Sequence, residues 1–321
     1  MTPRITIAVC TWNRAKSLKR ALDSIVTAIE VYGSSVQLIV VNNNCTDDTD
    51  QIIAAVSRRT ALTYLHESRA GLANARNAAT RATCGDYLIW TDDDVVVSPR
   101  WLEAYAKAFI EYPHAGFYGG PIRPEFEHSP PAWLAAGWRQ IPWIYAARDL
   151  GERPFAITNC GEVPYGANFA VRSDLQRHIS YDPRLGRQPG NYWLTGEEVD
   201  VLTRLLDEQH EGRWVPAAAV VHCISSDRQT LAYVVKHAFG SGQSAEAREP
   251  ARGRTLLFGR PGWLWATWVR AVGQVALAAV NGGSDKWLPA AYRAVALSGR
   301  MYRARPLPVR AVPAAGQTPH R

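Results

Sequence analysis

The chain has 321 residues, 47% of them hydrophobic and 20% charged, with a formal net charge of +7. These values exclude a disordered chain and allow one large α/β domain plus an appendage around a sizeable core. Five cysteines, at 10, 45, 84, 160 and 223, show no CxxC spacing, which argues against a disulfide framework or structural zinc and for a reducing compartment.

In chain order, Ile5 to Cys10 is an apolar strand that ends in the turn-like Thr11-Trp12-Asn13-Arg14. A helix is predicted from Ser17 to about Val31, and a second strand from Val36 to Val41. Thr46, Asp47 and Asp48 can cap a helix running to about Ser57. Leu62 to His66 reads as a third strand, Leu72 to Ala82 as an alanine-rich helix, and Tyr87 to Trp90 as a fourth strand that runs into Asp92-Asp93-Asp94. Pro99 opens another helix. This alternation predicts a mostly parallel sheet with helices on both faces, and ligands bind such sheets at the carboxyl ends of the strands.

The second part is less regular. Residues 121 to 165 carry many Pro and Trp and read as a long ordered loop region. Residues 197 to 208 read as a helix and Val215 to His222 as a strand ending at a histidine. Helices are expected again beyond Gly240, with breaks near 259 to 262 and 282 to 289. Trp263 to Val280 is the longest apolar stretch, but Arg270 and Gln274 interrupt it, so no spanning helix is expected. The Met1 to Val9 segment turns polar too quickly for a signal peptide. Residues 306 to 321 are expected to be disordered.

Four constellations can carry chemistry. Asp92 and Asp94 alternate on an extended segment and can converge as hard oxygen ligands for Mg²⁺ or Mn²⁺; the bland alternative is an acidic turn before Pro99. Glu197, Glu198 and Asp200 open a helix, where they serve either as caps or as a general base. His222 gains weight only if it completes the site begun by Asp94. The run from Arg69 to Asn77, with Gly71, Asn74 and Arg76, opens a helix suited to phosphate, or is a capped and solvated one.

Taken together, Cys10–Arg14, Val41–Asp47, Gly71–Asn77, Asp92–Asp94, Gly196–Asp200 and His222 resemble the family 2 glycosyltransferases with the GT-A fold, from about Ile5 to about Gly242. The resemblance implies an inverting transferase that uses a nucleotide-diphosphate sugar and Mn²⁺ or Mg²⁺. It implies that Thr11, Asn13 and Arg14 lie along the nucleotide and that Asn42 faces the base. Arg76 and Asn77 hold the nucleoside and phosphate end, with Asn44, Arg69, Gly71, Asn74 and Asp93 also on the donor side. Asp92 contacts the ribose or donor sugar, and Asp94 binds the metal with His222 and Asp92 near it. Glu198 is the base, with Glu197 beside it and Asp200 in reserve. Tyr165, Gly166 and Asn168 lie under the donor sugar and acceptor. Asn42 and Glu198 depart from the aspartates common at those places. A UDP-sugar is the first expected donor, and a glycan or lipid-linked molecule the acceptor, in polysaccharide or glycolipid assembly. The competing classes are a sugar nucleotidyltransferase and a non-catalytic glycan- or membrane-binding module. The first usually has a glycine-rich basic loop where this chain has Thr11 to Arg14.

Residues 1–242 are therefore expected to form the catalytic domain, 243–305 a basic, Trp-bearing helical appendage, and 306–321 a tail. Pro250 to Arg310 holds ten Arg or Lys against one acid, Asp285. That segment either docks a cytoplasmic enzyme peripherally on an anionic membrane face, or packs on the catalytic domain or a second copy. No nucleic-acid-binding motif is present, and nucleic acid is not expected as a partner.

Overall fold

The computed structural model describes residues 2–302 apart from 189, 191–192, 254–255 and 282; the expected tail, with Arg254, Arg303 and Arg305, lies outside the described residues. The first half follows the predicted alternation: β1 (Ile5–Thr11), α1 (Ala15–Tyr32), β2 (Val36–Asn42), α2 (Thr49–Ser57), β3 (Leu62–His66), α3 (Leu72–Ala82) and β4 (Tyr87–Asp92). Next come β5 (Val95–Val97), α4 (Trp101–Glu111), β6 (Phe117–Gly119), β7 (Ile122–Phe126), α5 (Ala132–Gly137) and β8 (Ala156–Ile157). Then follow β9 (Asn168–Arg172), α6 (Ser173–His178), α7 (Glu197–Asp207), β10 (Gly212–Trp214) and β11 (Val220–Ile224). The described residues close with α8 (Leu231–Arg248), β12 (Leu256–Leu257), β13 (Arg260–Pro261), α9 (Gly262–Asn281) and α10 (Ser284–Met301).

The main sheet has the order β3-β2-β1-β4-β9-β6-β10-β8, with the first four strands parallel. Its central strands β1, β4, β9 and β6 are buried on both faces. α1 covers one side with Leu18, Leu22 and Ile25, an i, i+4, i+7 stripe, while Ala75 and Ala79 of α3 lie in the cluster on the other side. Asp47 braces two helix starts at once: Oδ2 accepts from the Ala15 N–H at 2.9 Å and Oδ1 from the Thr49 N–H at 3.2 Å.

After Asp92 the chain leaves the main sheet. It turns through Asp93 and Asp94 into β5, which joins a second sheet of order β5-β11-β7. Antiparallel pairing of β5 with β11 sets His222 opposite Val95, and the Cys223 N–H donates to the Asp94 carbonyl at 2.9 Å. This register brings Asp94 and His222 together across well over a hundred residues of chain. The strand expected over Val215 to His222 begins only at Val220 and continues to Ile224, so His222 sits inside it. Residues before Val220 turn instead, with the Ala218 N–H bonded to the Val215 carbonyl at 3.0 Å.

The division expected after residue 242 falls inside α8, which runs unbroken to Arg248. A third core cluster joins this helix (Tyr233, Val234) to α10 (Leu288), to Leu134, Ile141, Ile144 and Tyr145, and to Ile224 of β11. Gly242 lies so close to α10 that a Cβ there would sit 1.8 Å from the Ala296 carbonyl oxygen. The break expected over 282 to 289 is narrower, since α10 starts at Ser284 and carries Pro289 within it.

Candidate active site

A cleft of about 500 Å³ opens at the carboxyl ends of β1, β2 and β4. It gathers Thr11, Arg14, Gly71, Arg76, Asp92, Asp93, Asp94, Tyr165, Gly166, Glu197, Glu198 and His222, twelve of the residues expected from sequence.

The acidic turn is held by cations and a hydroxyl. Asp93 accepts from Thr11 Oγ1 at 2.8 Å and from Arg14 Nη1 at 2.9 Å. Arg14 Nη1 also reaches Asp94 Oδ2 at 2.8 Å, and Arg228 Nη2 donates to the same oxygen at 2.8 Å. The other Asp94 oxygen faces His222 Nε2 at 3.3 Å. Burial opposes ionisation of Asp94, but His222, Arg228 and Arg14 outweigh it and hold the carboxyl well below the usual range. Asp92 and Asp93 are pushed upward, above all by burial.

His222 Nδ1 lies 2.8 Å from the Tyr145 carbonyl, a pure acceptor, so that nitrogen carries the proton. Nε2 faces Asp94 Oδ1, with Arg228 Nη1 3.2 Å away. Asp94 and His222 thus stand side by side, an oxygen and a nitrogen donor of the kind that can hold Mn²⁺ or Mg²⁺. No group of three His, Cys, Asp or Glu close enough for a metal occurs among the described residues. A divalent ion here would take its remaining ligands from phosphate and water, as Mg²⁺ commonly does.

The second wall is the start of α7. Gly196, with φ +84°, turns the chain into the helix. Glu198 Oε1 accepts the Gly166 N–H at 3.1 Å, which fixes the carboxylate of a residue that lines the cleft. A Cβ at Gly166 would lie 2.8 Å from Arg76 Nη2 and 3.4 Å from Glu198 Cδ, so a larger residue there would have to displace the Arg76 guanidinium. Glu197 is buried, and burial together with Glu198 pushes it up to about 8.

Eight expected residues do not line the cleft: Asn13, Asn42, Asn44, Arg69, Asn74, Asn77, Asn168 and Asp200. Each of them spends at least one side-chain polar atom on the protein. Asn13 Oδ1 accepts the Thr46 N–H, and Asn44 Nδ2 donates to the Ser68 carbonyl. Asn42 donates to Asp50 and accepts from the Cys45 N–H. Arg69 pairs with Glu67, and Asn74 donates to the Ala70 carbonyl. Asn77 clasps both backbone groups of Tyr181. Asn168 accepts from Trp101 Nε1 and the Tyr105 hydroxyl and donates to the Pro121 and Ala218 carbonyls, which fills its capacity inside the core. Asp200 faces Arg204 at 2.9 Å, one turn along α7.

Cleft residues that the sequence reading missed are Trp12, Trp143, Arg228, His237 and Tyr292. Trp12 stands inside a motif already singled out; nothing in the local sequence marks the other four.

Comparison with known proteins adds a family to this geometry. Residues 6–159 match the family model for Glycosyl transferase family 2. Residues 6–159 are thus a family 2 glycosyltransferase segment. It is 22% identical over 253 residues to the glucosyl-dolichyl phosphate glucuronosyltransferase of Haloferax volcanii, covering 75% of this chain and 76% of that protein. It is 23% identical over 248 residues to the succinoglycan biosynthesis protein ExoM of Rhizobium meliloti, covering 76% and 74%. This glycosyltransferase also shares its fold with a mannosyltransferase of Pyrobaculum calidifontis solved with GDP-Man and Mn²⁺, at a TM-score of 0.62 and 18% identity over 94% of this chain and 88% of that one. The fold is GT-A.

Proposed function

We propose that this enzyme transfers a sugar from a nucleotide-diphosphate donor to an acceptor hydroxyl with inversion, in polysaccharide or glycolipid assembly. The observation that carries the reading is the Gly166–Glu198 hydrogen bond, which holds one carboxylate at the cleft facing the Asp92–Asp94 turn. Glu198 takes the proton of the acceptor hydroxyl as its oxygen bonds to the anomeric carbon. The bond from that carbon to the diphosphate oxygen breaks, and the diphosphate leaves with the electron pair. One base and one displacement give inversion. Arg14 and Arg228 put positive charge at the acidic turn, where the leaving group would lie. A divalent cation held by Asp94 and His222 would withdraw charge from that leaving group. Thr11, through Asp93, keeps the turn in shape.

The names of the Haloferax and Rhizobium relatives support lipid-linked or polysaccharide acceptors, and the Pyrobaculum complex supports a nucleotide sugar and Mn²⁺. A UDP-sugar is the first donor to test. Incubation of nucleotide sugars with Mn²⁺ should release free nucleoside diphosphate. Release of pyrophosphate would identify a nucleotidyltransferase, and no release from any donor would leave a binding module.

The reading extends to location: a cytoplasmic enzyme that docks peripherally on an anionic membrane face. α10 packs on the core, but α9 is mostly exposed, with Val269, Val272, Leu277 and Val280 toward solvent. The hairpin before it ends in Phe258, 86% exposed, and Trp265 fastens that tip to α9 through the Leu257 carbonyl. Gly262–Val280 is long and apolar enough, by length and composition, to cross a membrane. Arg270 near its middle and the packing of Leu264 and Ala271 into the protein favour a helix lying in the interface. Arg252, Arg270 and Arg293 are exposed and available to lipid phosphate. Arg260 and Arg300, expected in that role, pair with Glu246 instead.

A further inference from the structure

One wall of the cleft is built by elements outside the recognised motifs. Trp143 comes from the short turn Pro142–Tyr145, His237 and Ser241 from α8, and Tyr292 from α10; all line the same cavity as Glu198 and Tyr165. Trp143 is 42% exposed, although Ile144 and Tyr145 beside it are buried. Tyr292 meets the Trp143 ring edge-on, with centroids 6.0 Å apart. Its hydroxyl lies 3.1 Å from His237 Nδ1. Burial, with Arg187 and Arg228 nearby, pushes His237 down to about 3, so this imidazole is neutral at physiological pH. The wall is therefore a flat exposed ring bordered by a hydroxyl and a neutral imidazole, with Arg187, Arg228 and Arg248 also lining the cavity.

We propose that this wall is a sugar subsite, in which Trp143 stacks on the C–H face of a hexopyranose acceptor and Tyr292, His237 and Ser241 meet its hydroxyls. The proposal rests on the glycosyl-transfer reading and adds the acceptor's chemical class. A pyranose has an apolar face and a polar rim, which matches a ring flanked by hydroxyl and imidazole groups. A bare alkyl chain would want an unbroken apolar wall. The sugar would bring one hydroxyl to Glu198 across the same cavity. It follows that α8 and α10 belong to the catalytic unit, since each supplies a wall residue.

The test uses the full chain with UDP and Mn²⁺ and, as probes, the methyl glycosides of glucose, galactose, mannose, N-acetylglucosamine and glucuronic acid, read by saturation-transfer NMR. At least one glycoside binds the wild type. Its affinity falls about tenfold in Trp143→Ala, as expected for a lost ring contact. Trp143→Phe keeps part of it, Tyr292→Phe weakens it, and the thermal shift given by UDP is unchanged in all three. Binding of no glycoside to the wild type overturns the subsite, as does binding that is equal in Trp143→Ala and Tyr292→Phe. Failure of the transfer reading itself would show separately, as no nucleoside diphosphate released from any nucleotide sugar.

Discussion

Arg76 Nε lies 3.3 Å from Glu197 Oε1, with both side chains inside the protein. The same guanidinium reaches Asp92 Oδ1 at 3.5 Å and the Gly166 carbonyl at 3.4 Å. It is caged by Trp90, Phe169 and Tyr181, with its carbon 5.0, 5.5 and 5.7 Å from the ring centroids. Arg76 thus ties the end of β4 to the start of α7, the two elements that carry the acidic turn and the proposed base. Its reach toward a donor is secondary to this internal role.

Removing the guanidinium leaves Glu197 buried without its partner. Arg76→Met is expected to cost about 2 kcal/mol of stability, the scale for leaving a buried polar group without its partner. Arg76→Met with Glu197→Gln should recover part of that loss, because the buried carboxyl left without its partner is gone. Urea unfolding of the two variants beside the wild type checks this.

How much of this was legible in sequence depends on where each side chain spends its bonds. Asp94 and Glu198 stand at a strand end and a helix start, positions that alternation alone locates, and both line the cleft. His222 was legible as a histidine near a strand end, though only the β5–β11 register shows that it meets Asp94. The asparagines were not legible. Asn42, Asn77 and Asn168 have the residue type of a ligand contact, yet their amides satisfy backbone and core groups instead. Residue type cannot say which partner an amide finds. Arg228 and Trp143 were missed because their placement depends on turns in the irregular second half.

Asp94→Ala is expected to abolish turnover and to remove the cation-dependent part of nucleotide binding. In the wild type, UDP at about a hundred times its Kd should add about 2.7 kcal/mol of stability with Mn²⁺ present. EDTA should remove most of that gain, and Asp94→Ala should not show it. Thermal unfolding with UDP, with and without Mn²⁺, gives the answer; full wild-type activity in EDTA would count against a metal.

The exposed face of α9 and the hairpin tip predict salt-sensitive binding to anionic vesicles. Flotation with liposomes containing phosphatidylglycerol should carry the wild type at low salt, and less of it at high salt. Phe258→Asp with Leu277→Asp should remain in solution while still releasing nucleoside diphosphate. Binding to neither anionic nor neutral vesicles would refute docking through this face.

His237 gives a pH dependence with a definite sign. Its folded value, about 3, lies below the ordinary 6.5, so the unfolded chain binds the extra proton between those values. The stability it contributes is complete above about pH 6.5 and is lost as the pH falls toward 3. Each pH unit inside that window costs up to about 1.4 kcal/mol for this one group. His237→Gln should flatten the wild-type curve between pH 6.5 and 5, read by denaturant midpoints; parallel curves would contradict a buried neutral imidazole.

The central claim is that Glu198 is the base of an inverting transfer. The direct measurement is the turnover of Glu198→Gln at saturating donor and acceptor, with UDP binding followed in parallel. The expected result is normal folding, unchanged UDP binding and a loss of at least about 10²-fold in kcat, the usual contribution of a general base. A mild loss in Glu198→Gln, with Asp200→Asn the more damaging change, would contradict it.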